Sequence, residues 1–130
     1  MSVDYPELPE YGKLTIKSIQ KYCDKHNYTF KLFNHYGKNN MSPYWIRVKD
    51  LNHLLNNTNY KTIVYFDLDV ILNPKFNSTN FNKLTNHINK QTNKKWDMYL
   101  ATDPHYLNYE MNTGILIVKN NKWTKEFIQL

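Results

Sequence analysis

The chain has a single cysteine, Cys23, in 130 residues. Intrachain disulfides are therefore excluded, a cysteine-based zinc site is not expected, and a reducing compartment is favoured. No apolar run approaches the roughly 18 residues of a transmembrane helix, and Met1-Ser2-Val3-Asp4 lacks the character of a signal peptide. The expectation is a cytoplasmic protein, or one of the secretory pathway should an anchor-bearing segment lie outside this sequence. Also missing are an arginine-rich arm, zinc-ligand spacing and a helix-turn-helix pattern. The net charge of +6 comes from scattered lysines, so nucleic acid is not an expected partner.

What is present is apolar content of 41% and aromatic content of 15%, enough for one folded domain over residues 1–130. Residues up to Pro9 read as a tail or loop. From Tyr11 to His26, Ile16, Ile19, Tyr22 and Cys23 recur at helical spacing. Tyr28 to Phe33 is aromatic and β-branched and reads as a strand, followed by a polar loop over Asn34 to Ser42. Ser42 and Pro43 suit the start of a helix whose inner face would carry Trp45, Val48, Leu51, Leu54 and Leu55. A short helix is expected over Asn80 to Ile88, strands over Asp97 to Ala101 and Gly114 to Val118, and irregular chain over Tyr106 to Met111. A last helix would turn Trp123, Phe127 and Leu130 inwards. Helices alternating with strands imply an α/β fold with a mainly parallel sheet flanked by helices.

The run Ile63-Val64-Tyr65-Phe66-Asp67-Leu68-Asp69-Val70-Ile71-Leu72 is the chemical centre of the chain. Its unbroken apolar character predicts a strand buried on both faces, as in a parallel sheet. Two acids there are costly to bury without a neutralising partner, and Asp67 and Asp69 could lean towards one divalent cation. A solvated strand-end turn is the alternative. In α/β folds ligands gather at the carboxyl ends of strands, where this pair lies.

Tyr44-Trp45-Ile46-Arg47, then Asp67-Leu68-Asp69, then Met111-Asn112-Thr113-Gly114 through Lys119-Asn120-Asn121-Lys122-Trp123 occur in that order. Together they resemble the Tyr-Trp-x-Lys, Asp-x-Asp and Asn-x-Gly blocks of the galactosyl-, mannosyl- and xylosyltransferase family, which has the Rossmann-like GT-A fold. Tyr11 to Ser18 and Tyr22-Cys23 with His26 are similar to its first helix. The resemblance implies a metal-dependent glycosyltransferase. It would move a sugar from a nucleoside-diphosphate sugar to an acceptor hydroxyl on a glycan or protein-linked glycan, with retention. Asp69 would ligate Mn²⁺ or Mg²⁺, and Asp67 would complete the metal's surroundings and touch the ribose or sugar. Arg47 stands where the family has lysine and would contact the diphosphate, unless it is a plain surface residue. Asn112 and Gly114 would border the donor sugar, their alternative being an ordinary turn. Trp45 and Trp123 read as core anchors rather than sugar platforms, and the histidines receive no role.

Two departures from the family follow. No strand is expected before the first helix, and the family's later metal-binding histidine and acceptor-side acids have no counterpart. The resemblance therefore implies an incomplete domain, with its catalytic residues unidentified. A phosphatase of the haloacid-dehalogenase type, with Asp67 and Asp69 as nucleophile and acid/base, is the second reading. A non-catalytic nucleotide- or glycan-binding remnant is the third.

Overall fold

The computed structural model describes residues 1–37, 41–102 and 111–129. The irregular reading of 106–110, part of the loop over 34–42, and Leu130 as an inward residue lie outside them. In chain order come β1 (Ser2–Val3), α1 (Glu10–His26), β2 (Phe33–Asn34), α2 (Pro43–Asn57) and β3 (Thr62–Phe66). A 3-10 turn (Pro74–Ser78), α3 (Phe81–Thr92), β4 (Met98–Thr102), β5 (Met111–Lys119) and α4 (Lys122–Ile128) follow. No helix among the described residues is long and apolar enough to cross a membrane.

The helices begin and end where local chemistry dictates. Asn80 caps α3, its side-chain oxygen accepting from Lys83 N, and Asn121 caps α4 through a reciprocal capping box with Thr124. Asn27 and Asn93 end α1 and α3 at φ of 56° and 51°, in the left-handed region that asparagine tolerates.

The sheets correct the expected topology. β1 and β2 form a parallel pair, but β3, β5 and β4 form an antiparallel sheet in that order. The fold is mixed α/β; among the described residues the parallel part is two strands only. A strand does precede the first helix, since β1 pairs with β2 through Ser2 and Val3 opposite Phe33 and Asn34. Its two residues are too few to show a periodic signal. Most of the aromatic stretch over Tyr28 to Phe33 is not strand; only its last residue joins β2.

Burial of β3 on both faces is nonetheless correct. Val64 and Phe66 pack with Ile19, Tyr22, Phe81 and Ile117 on one side. Ile63 and Tyr65 pack with Leu51, Leu55, Leu116, Val118 and Ile128 on the other. Helices α1 and α3 cover one face and α2 and α4 the other, so an antiparallel sheet acquires the apolar run expected of a parallel one. The strand itself ends at Phe66, well short of Leu72. Asp67 N donates to Gly114 O at 2.9 Å, and Val70 N turns back to Asp67 O at 3.3 Å.

Both tryptophan anchors are also corrected. Trp45 is 54% exposed and Trp123 50% exposed. The inner face of α2 carries Ile46, Asp50, Leu51 and Leu55. A three-residue spacing drifts around a helix that advances about 100° per residue, so Trp45 ends up opposite Leu54. On α4 the buried positions are Thr124 and Ile128, one residue beyond the expected pair. Trp123 and Phe127 instead stack on each other outside, ring centroids 5.1 Å apart.

Candidate active site

The turn after β3 presents the two acids because of what holds Leu68. A Cβ on Gly12 would lie 2.9 Å from Leu68 Cδ2, so α1 passes directly over this side chain, and any larger residue at 12 would make Leu68 shift. With Leu68 pinned against α1, Asp67 and Asp69 line one cleft of about 590 Å³ with Tyr5, Tyr11, Tyr44 and Arg47. A cavity of about 260 Å³ between the two sheets is lined chiefly by apolar chains such as Ile19, Phe30, Ile63 and Phe81. Asp67, Asp69 and Arg47 all lie in the cleft, not in this cavity.

Asp67 is half-buried and Asp69 exposed. Arg47, the only arginine in the chain, reaches across from α2. Its Nη1 lies 3.4 Å from each carboxylate oxygen of Asp67 and donates to Thr113 Oγ1 at 2.8 Å. Its Nε donates to Tyr44 O at 3.3 Å. The surface-residue alternative for Arg47 does not describe it, because only 16% of its side chain is exposed and it faces the acid.

Asn112 and Gly114 meet Asp67 from β5. Asn112 Oδ1 accepts from Gly114 N at 2.8 Å, which leaves the side-chain amide as the group free to donate. A Cβ on Gly114 would lie 3.0 Å from Asn112 Oδ1, so a larger residue would press on the Asn112 side chain, and it would stand in ordinary contact with Asp67 Oδ2 at 3.7 Å. All four residues singled out with Asp69 in the sequence are thus brought to one place: Arg47, Asp67, Asn112 and Gly114.

A polar chain behind the cleft was not legible. Tyr65 is buried, and its hydroxyl faces Asp67 and Ser2. Burial pushes its pKa up to about 12; the Asp67 charge adds to the rise, and Arg47 and Ser2 oppose it. Ser2 Oγ donates to Asp50 Oδ2 at 2.7 Å, and the same oxygen is hydrogen-bonded to His35 Nε2 at 2.8 Å. The signal for Asp50 was a carboxylate set among Ile46, Leu51 and Leu55 on a helical stripe. Tyr11, at the rim, has its pKa raised, first by a hydrogen bond with Tyr5, then by burial, and also by the charges of Tyr5 and Asp69.

Two carboxylates two residues apart on one cleft suit Mn²⁺ or Mg²⁺, which bind through one or two acids and complete their shell with water and phosphate oxygens. Among the described residues no group of three or more His, Cys, Asp or Glu side chains forms a closed metal cage. Asp67 and Asp69 are the residues that would hold such an ion.

No protein-family model matches the chain, and no curated protein matches it in sequence. In three dimensions it is similar to the crystal structure of a glycosyltransferase involved in the glycosylation of the major capsid of PBCV-1, with a TM-score of 0.73 and 17% identity. The match covers 98% of this chain and 61% of that one, so the chain spans under two-thirds of its neighbour's length. What the two share is the fold: nearly every described element of this chain has its place in that of a glycosyltransferase.

Proposed function

We propose that this chain carries the donor-binding half of a metal-dependent glycosyltransferase of the GT-A type. Its substrate would be a nucleoside-diphosphate sugar, and the sugar would pass with retention to a hydroxyl of a glycan or protein-linked glycan. The observation that carries this reading is the convergence of Asp67, Asp69 and Arg47 on one cleft, in a fold shared with a glycosyltransferase. That shared fold also favours transfer over the phosphatase alternative.

Asp69 and Asp67 would hold Mn²⁺ or Mg²⁺. When bound, the metal supplies Lewis-acid neutralisation of the charge that grows on the leaving diphosphate. Arg47 contributes a second positive group, able to grip phosphate oxygens in bidentate fashion. The Asn112 amide would donate to sugar hydroxyls, and the absence of a side chain at Gly114 would let the sugar approach the backbone beside Asp67. The half-buried setting of Asp67 strengthens its own contacts relative to open water.

Calorimetric titration with uridine or guanosine diphosphate, with and without Mn²⁺, tests the reading. Binding is expected only with the metal and is lost in Asp69→Ala while the melting temperature holds. Wild-type affinity in that variant ends the metal assignment.

A further inference from the structure

Arg47 stands where a cation belongs. Its Nη1 is equidistant, at 3.4 Å, from both oxygens of Asp67. That is the position of a point charge on the bisector of a carboxylate, not of a fork engaging two oxygens in parallel. The contact is long for a hydrogen bond, whereas the bond to Thr113 Oγ1 at 2.8 Å is a good one. Arg47 is thus moored by Thr113 and Tyr44 and lies only loosely on Asp67. An ion pair of this kind, with 32% of the carboxylate side chain exposed, is weak enough to exchange.

We propose that Arg47 is a resident counter-cation. Without donor it neutralises Asp67 from a place beside both carboxylate oxygens, and it would pass to the diphosphate when nucleotide and metal enter together. This rests on the donor-site reading above and adds an order of events to it. A divalent ion arriving alone meets a like charge beside its carboxylate. A nucleoside diphosphate draws the guanidinium away with stronger, charge-assisted bonds, and the vacated face of Asp67 is then open to the metal. Metal and nucleotide therefore raise each other's affinity, and by linkage each does so by the same factor.

The test measures Mn²⁺ binding alone by electron paramagnetic resonance, and uridine or guanosine diphosphate binding with Mn²⁺ by calorimetry. Wild type is expected to bind Mn²⁺ poorly by itself and well with the nucleotide. In Arg47→Gln, affinity for Mn²⁺ alone should rise about five-fold, the upper end for an exposed pair and a modest expectation for this more enclosed one. Affinity for the nucleotide with Mn²⁺ should fall about ten-fold or more, as a charge-assisted contact is lost. Arg47→Met removes the charge but keeps an unbranched side chain between Tyr44 and Tyr65, so Mn²⁺ alone should again bind tighter and the nucleotide with Mn²⁺ weaker. That variant also keeps the test alive should Arg47→Gln fail to fold. Unchanged or weaker Mn²⁺ binding in either variant overturns the proposal while leaving the donor site standing. A folded wild type that shows no Mn²⁺-dependent nucleotide binding removes the donor site, and the proposal with it.

Discussion

Asp50 and Asp67 flank the same Ser2–Tyr65 pair, and each has a basic side chain beside it, yet they are built for opposite purposes. Asp50 is 6% exposed and makes contacts of 2.7 Å and 2.8 Å to Ser2 and His35. Those contacts tie α2 to β1 and to the residue that follows β2. Asp67 is half-open, and its guanidinium partner sits at 3.4 Å. A carboxylate closed in by short bonds is architecture. One held by a long, replaceable contact at a cleft is available to a ligand.

The widest gap between the two should appear in stability. Asp50→Ala removes the buried acceptor that Ser2 and His35 share and should cost about 1–3 kcal/mol, the range for polar groups left unsatisfied in the interior. Urea denaturation measures it. A cost near zero would erase the distinction from the architectural side.

How much of this could be read from residues alone depends on the kind of signal. The helices were legible to within a few residues because capping and periodicity are local: α1 over Glu10–His26 and the start of α3 at Phe81 are examples. The pairing of strands was not, because apolar content reports burial and not direction. Ile63 to Phe66 are covered on both faces in a sheet that is antiparallel. The acids were legible as a pair because carboxylates interrupt an apolar run there. Tyr65, Ser2 and His35 were not, since nothing in the sequence brings β1, α2 and β3 together. Trp45 and Trp123 misled because large aromatics are expected inside, and each lies about a residue off its helix's buried stripe.

Tyr65 lies beside Asp67 and Ser2, so removing its hydroxyl sharpens the comparison from the side of Asp67. Tyr65→Phe should cost about 1 kcal/mol, the typical worth of one hydrogen-bonding group. The alkaline limb of stability carries a second signature. Tyr65 and Tyr22 are each pushed up to about 12, chiefly by burial, from an ordinary value of 10.0. Between those values the unfolded chain has released protons that the folded chain retains, so stability is full below pH 10 and falls as pH rises towards 12. Tyr65→Phe should make that fall shallower. An unchanged slope in a pH series of denaturation curves would mean that Tyr65 does not report on the site.

The smallest stability effect belongs to Asp67→Ala, and it is the most telling. The lost contact is long, the Asp67 side chain is 32% exposed, and Arg47 retains Thr113 and Tyr44, so the cost should stay at about 1 kcal/mol or below. The same substitution should abolish Mn²⁺-dependent binding of the nucleoside diphosphate. Loss of binding with stability kept is the signature of a residue whose partner is a ligand. If Asp67→Ala instead destabilises the chain as much as Asp50→Ala, Asp67 is a second structural staple. The cleft would then have lost the group around which its chemistry is arranged.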